Sequence, residues 1–289
     1  MSEYEAVTGT LSLLCKEART EVLGCSVLGR EIPIVRLGTG QRAVLYVGGV
    51  YGTDAVISRV LLDFIQDCLS CLSRKMTQYS YPLEQLFRER SIYIVPMLNP
   101  DGVCYVREGV GVDNPLYARV CAMNGKSKDF STWRANARGV DLSCNFGVGF
   151  LEGKRSEQAR GVVSGTAQGF GGEYPESEPE TAALCRMIRA HAEELIGIVT
   201  VSLGKDGIRC SCEDHMTAKC VATGRVLSRL TGLSLARGEG VRGSLSDWCV
   251  RALSLPTYEI ACTLPSDRDP RALLYAKLRR TLFSFPYML

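Results

Sequence analysis

The sequence predicts an α/β architecture in which a mixed, mostly parallel sheet is covered by helices on both faces. Short apolar runs alternate with segments of helical period along the chain, the pattern of strands joined by covering helices. The runs "AVLYVGGV" (43–50) and "SIYIVPMLNPDG" (91–102) are apolar at consecutive positions, as in strands buried on both faces. Each ends in Gly, Pro or Asn, the residues that turn a chain.

The elements follow in order. Residues 21–37 alternate apolar pairs with turn signals and predict a β-hairpin. The strand "AVLYVGGV" leads into a helix over Ala55–Leu72, and "SIYIVP" is a second buried strand. Residues 107–175 are rich in Gly, Asn, Ser and charge and show little periodicity, which suggests a functional surface. "SEPETAALCRMIRAHAEEL" (177–195) opens with a Ser-x-x-Glu capping pattern and continues as a helix. A strand over 196–204, a helix over 215–232, a strand over 255–262 and a final helix over 269–285 complete the chain. Neither a repeat nor a linker interrupts it, so residues 1–289 read as one domain.

Composition narrows the function. Apolar residues make up 46% and charged residues 22%, enough for a sizeable core. A formal net charge of +3 gives no footprint for nucleic acid or a membrane surface. No apolar run approaches the roughly 18 residues of a membrane span. The first residues lack a signal-peptide pattern. Thirteen cysteines sit mostly in apolar runs, as around Cys68 and Cys71, so reduced thiols in a cytoplasmic protein are expected.

In such sheets ligands bind beyond the carboxyl ends of the strands. The polar residues there are Tyr51 and Asp54, then Asn99 and Asp101, then Lys205 and Asp206, with Glu259 inside the last strand. Taken in order, "YVGGVYGTD", "IYIVPMLNPDGV", "WRANARGVDLSCNF", "GGEYPESEPET", "GSLSDW" and "LPTYEIAC" resemble the zinc carboxypeptidase family, in its bacterial branch that cleaves γ-D-glutamyl-diamino-acid bonds of peptidoglycan peptides. The resemblance implies an eight-stranded mixed sheet between helices, of the zinc carboxypeptidase and phosphorylase/hydrolase-like kind. It also implies a zinc ion held by two histidines and a glutamate, with a glutamate on a late strand activating water.

Mapped residue by residue, the resemblance puts Tyr51 and Asp54 at the His-x-x-Glu positions and Gly204 at the third ligand, so neither histidine is present. The chain holds only His191 and His215, both outside the matching segments. A tyrosine, with an ordinary pKa of about 10, is a poor zinc ligand near neutrality. Glu259 matches the general base and Arg138 the oxyanion-stabilising arginine. Ser143 and Cys144 stand where the family carries an Asn-Arg pair that clamps the substrate carboxylate. Arg138, Ser143 and Cys144 are thus the expected substrate-binding residues.

Other chemistry is weaker. Cys210, Cys212 and His215 do not follow a common zinc spacing, and their ordinary reading is packing. Cys144 has no matching histidine to act as its base. Lys205 could place its ammonium in the former metal cavity, beside Asp54 and Glu259. The expectation is a carboxypeptidase-like protein without the inherited zinc, binding peptides or peptidoglycan fragments. The alternative is an active metallo- or γ-D-glutamyl-diamino-acid peptidase that uses an unusual metal set or metal-free chemistry.

Overall fold

Residues Ala43 to Val47 are wholly buried, and the chain uses them as the middle of a sheet. In the computed structural model residues 1–14, 18–79, 81–211, 218–237 and 242–289 are described. Their strands are β1 (Arg19–Cys25), β2 (Glu31–Leu37), β3 (Arg42–Val47), β4 (Thr77–Gln78), β5 (Tyr81–Pro82), β6 (Arg90–Val95), β7 (Leu195–Leu203), β8 (Gly207–Ser211), β9 (Leu235–Arg237) and β10 (Thr257–Cys262). Their helices are α1 (Glu3–Leu14), α2 (Ala55–Ser73), α3 (Leu83–Glu89), α4 (Pro100–Glu108), α5 (Tyr117–Met123), α6 (Phe150–Ala159), α7 (Pro179–Ala190), α8 (Ala218–Thr231), α9 (Leu245–Leu253) and α10 (Pro270–Met288).

Among the described residues eight strands form one mixed sheet in the order β1-β2-β6-β3-β7-β10-β8-β9. The four central strands β6, β3, β7 and β10 run parallel, so their carboxyl ends share one edge. The β1–β2 pair is the hairpin expected over 21–37, and β8 returns antiparallel beside β10.

Both faces are covered, which is why the central strands are apolar at consecutive positions. On one face α1, α2, α8 and α10 close a core through Ile57, Leu61, Phe64, Leu278 and Phe285. On the other, α7 and α9 pack through Leu184, Ile188 and Trp248 against Leu45, Val95 and Ile198. Burying a side chain of this kind contributes about 1.5–3 kcal/mol, so these two layers supply the main driving force. Tyr46 is fully buried, and its hydroxyl donates to the Leu282 carbonyl at 2.7 Å, fastening α10 to the sheet.

Several elements differ from the sequence reading. Residues 107–175 contain the helices α5 and α6 within the irregular chain, and α1 and β8 also form. Helix α7 begins at Pro179 with Glu178 as its N-cap, so Ser177 and Glu180 do not form a capping box. The Ser177 hydroxyl donates instead to Glu178 at 2.9 Å. The start of the helix expected over 215–232 lies outside the described residues, as do Cys212 and His215, so the Cys210, Cys212 and His215 grouping does too.

Candidate functional site

The segment after β3 is shaped by close packing. Gly49 has φ +61°, and a Cβ there would lie 2.7 Å from the Met97 Cα, so only glycine fits. Gly52 passes so near the 133–135 loop that its Cβ would meet the Trp133 and Gly102 carbonyl oxygens at 2.5 and 2.6 Å. Asn99 secures the turn. Its side-chain amide donates to the carbonyls of Val50 and Ala135 at 3.2 and 3.1 Å, and its oxygen caps α4 by accepting from Gly102 N. Asn99 therefore holds the backbone and does not face a ligand. Asp101 is likewise buried and bound, accepting from Ser26, Leu28 N and Arg30.

This turn presents Tyr51 and Asp54. Asp54 is fully buried, and both carboxyl oxygens are engaged: Oδ2 accepts from Tyr51 N at 3.1 Å and Oδ1 from Leu203 N at 2.8 Å. Burial pushes its pKa up to about 7, against the lowering effect of those two amides. Burial also raises the Tyr51 phenol above its ordinary value. The Arg134 guanidinium carbon stacks 3.4 Å from the centre of the Tyr51 ring.

Beside Tyr51 lies a small cavity of about 90 Å³, lined by Ser143, Thr200, Ser202, Arg209, Ser244 and Glu259, with Val50, Leu98 and Phe146 as an apolar wall. Three strands build it. Glu259 on β10 stands directly between Thr200 on β7 and Arg209 on β8 in the sheet register. Glu259 Oε2 accepts from Arg209 Nη1 at 3.1 Å, and Oε1 accepts from the Ser246 hydroxyl. Ser246 in turn lies 3.1 Å from Ser244, which caps α9 by accepting from Asp247 N. The "GSLSDW" segment thus delivers a hydroxyl relay onto Glu259.

Of the residues expected in the site, Tyr51, Ser143 and Glu259 line this cavity, and Asp54 lies directly behind Tyr51. Gly204 does not line it. It lies beyond the end of β7, exposed to solvent, and Thr200 and Ser202 are the β7 residues that face the cavity. Arg138 points elsewhere, reaching Glu178 at 3.6 Å, and the arginine over Tyr51 is Arg134, four residues earlier in the same loop. Glu259 pairs with Arg209, not with Arg138. Lys205 is exposed and outside the lining, so the cavity's cation is Arg209.

Cys144 lies next to Ser143, 3.6 Å sulfur to oxygen, and burial pushes its thiol up to about 12. A thiol so raised is a poor nucleophile. Asp141 orders this loop, accepting from the Ser143 hydroxyl at 2.7 Å and from Gly169 N at 3.0 Å.

Arg134, Ser202, Arg209 and Ser246 were not singled out by the sequence reading. Arg134 and Ser246 lie inside the segments "WRANARGVDLSCNF" and "GSLSDW", and Arg209 is the polar residue between buried Ile208 and Cys210 in a strand of alternating pattern.

As zinc donors these residues fit badly. Zinc takes imidazole, thiolate or carboxylate, whereas here the cavity edge offers a phenol, a serine hydroxyl and a carboxyl group already bound by two amides. No group of three His, Cys, Asp or Glu side chains placed to hold a metal occurs among the described residues. Nor is any described helix long and apolar enough to cross a membrane.

The architecture and sequence have clear relatives. The zinc carboxypeptidase family model matches residues 5–205. The γ-D-glutamyl-L-diamino acid endopeptidase 1 of Lysinibacillus sphaericus is 31% identical over 169 residues, covering 58% of this chain and 41% of that protein. The YqgT protein of Bacillus subtilis (strain 168) is 30% identical over 169 residues, covering 57% of this chain and 44% of that one. The chain thus matches less than half the length of either curated relative. Among solved structures, the murein-tripeptide amidase MpaA of Escherichia coli O157 superposes with a TM-score of 0.56 at 24% identity, over 90% of this chain and 91% of that one. Bovine thrombin-activatable fibrinolysis inhibitor, solved with a tick carboxypeptidase inhibitor, reaches 0.66 at 14% identity, over 100% and 94%. Ordered motifs, mixed eight-stranded sheet and family match agree, and the chain belongs to the zinc carboxypeptidase family.

Proposed function

We propose that this chain has lost the inherited zinc site and binds peptides or peptidoglycan fragments in its cleft without hydrolysing them. One observation carries the reading: both oxygens of Glu259 are held by Arg209 and Ser246, on the residue that matches the family's base. A general base needs an oxygen within reach of the water it deprotonates, and that attack needs a polarised carbonyl. Asp54 is similarly occupied by backbone amides, and Tyr51 lies under Arg134. The name of one relative, an endopeptidase for γ-D-glutamyl-L-diamino acids, supports this choice of ligand class.

Elemental analysis of the purified protein, with a hydrolysis and binding assay on a γ-D-glutamyl-diamino-acid peptide, tests this. The expected outcome is substoichiometric zinc, no turnover and saturable binding weakened by Arg209→Gln. One zinc per chain, removed by a chelator with loss of hydrolysis, overturns it in favour of an active metallopeptidase.

A further inference from the structure

A second cavity, of about 330 Å³, lies at the β1 edge of the sheet and shares no lining residue with the cleft. That size lies within the range of small-molecule sites. Its floor is apolar, from Ile34 and Tyr93 on the sheet to Ala183 and Met187 on α7, and its polar side chains include Arg36, Arg186 and His191.

The charges there are unevenly matched. Arg19 is paired with Glu21 at 2.5 Å. Arg36 and Arg186 make no ion pair with any described residue, although both line the cavity. Arg36 is also fixed in place. Its Nε and Nη2 donate to the Ser91 hydroxyl at 3.3 and 3.1 Å, Ser91 is itself tied to the Gly40 carbonyl at 2.7 Å, and the guanidinium lies 5.2 Å from the Tyr93 ring centre. An arginine held by a neutral hydroxyl and an aromatic face keeps its full charge and has little rotamer entropy left to lose on binding. His191 is oriented against the same ring, at 5.0 Å between centres, with Nδ1 3.3 Å from Glu194.

We propose that this pocket binds a small organic anion with an apolar body, its carboxylate or phosphate between Arg36 and Arg186 and its body on Ile34, Tyr93 and Met187. The charged group would gain charge-assisted hydrogen bonds. The body would displace water from the apolar floor. The site is independent of the cleft, so neither reading depends on the other.

Isothermal titration of the intact protein with phenyl phosphate, phenylacetate and inorganic phosphate tests the proposal. The expected result is one saturable site per chain for at least one aromatic anion, at least tenfold tighter than inorganic phosphate. Arg36→Gln and Arg186→Gln should each weaken it at least tenfold. Arg186 is exposed, so Arg186→Gln keeps the test sound even where Arg36→Gln loosens the fold. Arg209→Gln, in the cleft, should leave this binding unchanged. No saturable binding at millimolar anion, undiminished binding in Arg186→Gln, or loss of binding in Arg209→Gln would each overturn it. The relative strength of phenyl phosphate and phenylacetate assigns the anion as phosphate or carboxylate.

Discussion

Arg209 and Glu259 face each other across antiparallel strands, in register and joined at 3.1 Å between Nη1 and Oε2. The pair sits where the resemblance to the family leads one to expect a catalytic base beside a metal. Both side chains are partly exposed, at 41% and 26%. Cross-strand ion pairs of this exposure are worth about 0.2–1 kcal/mol. A double-mutant cycle of Arg209→Ala and Glu259→Ala, followed by urea unfolding, should give a coupling in that range that shrinks as salt rises. A coupling near zero at low salt would refute the pairing.

Asp54 supports the fold more strongly. Asp54→Ala removes the acceptor of both Tyr51 N and Leu203 N inside the protein, and stranding buried donors costs about 1–3 kcal/mol each. A loss of about 2–4 kcal/mol in unfolding free energy is expected, with Asp54→Asn, which keeps one acceptor oxygen, losing less. Equal losses in the two variants would show that the hydrogen bonds contribute little.

Two buried carboxyl groups make stability depend on pH. Burial raises Asp54 to about 7 and Glu180 to about 8 in the folded protein, above their ordinary values of 3.8 and 4.5. Folding therefore takes up protons. The two groups cost nothing when both states are protonated, below about pH 3. Their cost grows as pH rises through the interval between the unfolded and folded values, and is complete above about pH 9. For Asp54 this loss is on the order of 2–3 kcal/mol between pH 5 and 8, at about 1.36 kcal/mol per pKa unit. Urea midpoints measured across that range should fall less steeply in Asp54→Asn and in Glu180→Gln than in the parent. An unchanged slope would contradict the raised values.

Two glycines differ in the space an added Cβ would find. Gly52→Ala places a Cβ 2.5 Å from the Trp133 carbonyl oxygen and should destabilise by about 2 kcal/mol or more. Gly204→Ala meets only the Ala261 Cβ, at 3.5 Å, in ordinary contact, and should stay within about 0.5 kcal/mol of the parent. Thermal melting of the two variants checks both.

Much of the architecture was legible because the central strands are buried on both faces, which leaves runs such as "AVLYV" without polar interruption. The motif order located the cleft for a related reason: Gly49, Asn99 and Gly52 are constrained by the backbone they must fit. Side-chain aim was harder to read. In β7 the alternation sends both Thr200 and Ser202 to the cavity, whereas Gly204, two residues further on, lies beyond the end of the strand. In the 133–140 loop no periodicity orders the chain, and only tertiary packing sends Arg134 to Tyr51 and Arg138 to Glu178. The alternation around Arg209 spans only the five residues of β8, too few to fix its register without the neighbouring strand.

The Asp54 carboxyl group bridges the turn after β3 to the end of β7. One short side chain thus ties together two strand ends that lie about 150 residues apart in the chain, with the two oxygens of a single carboxyl group. Whatever enters the cleft beside Tyr51 meets a wall whose backbone is already pinned from behind, so the turn acts as a fixed jaw rather than a moving one.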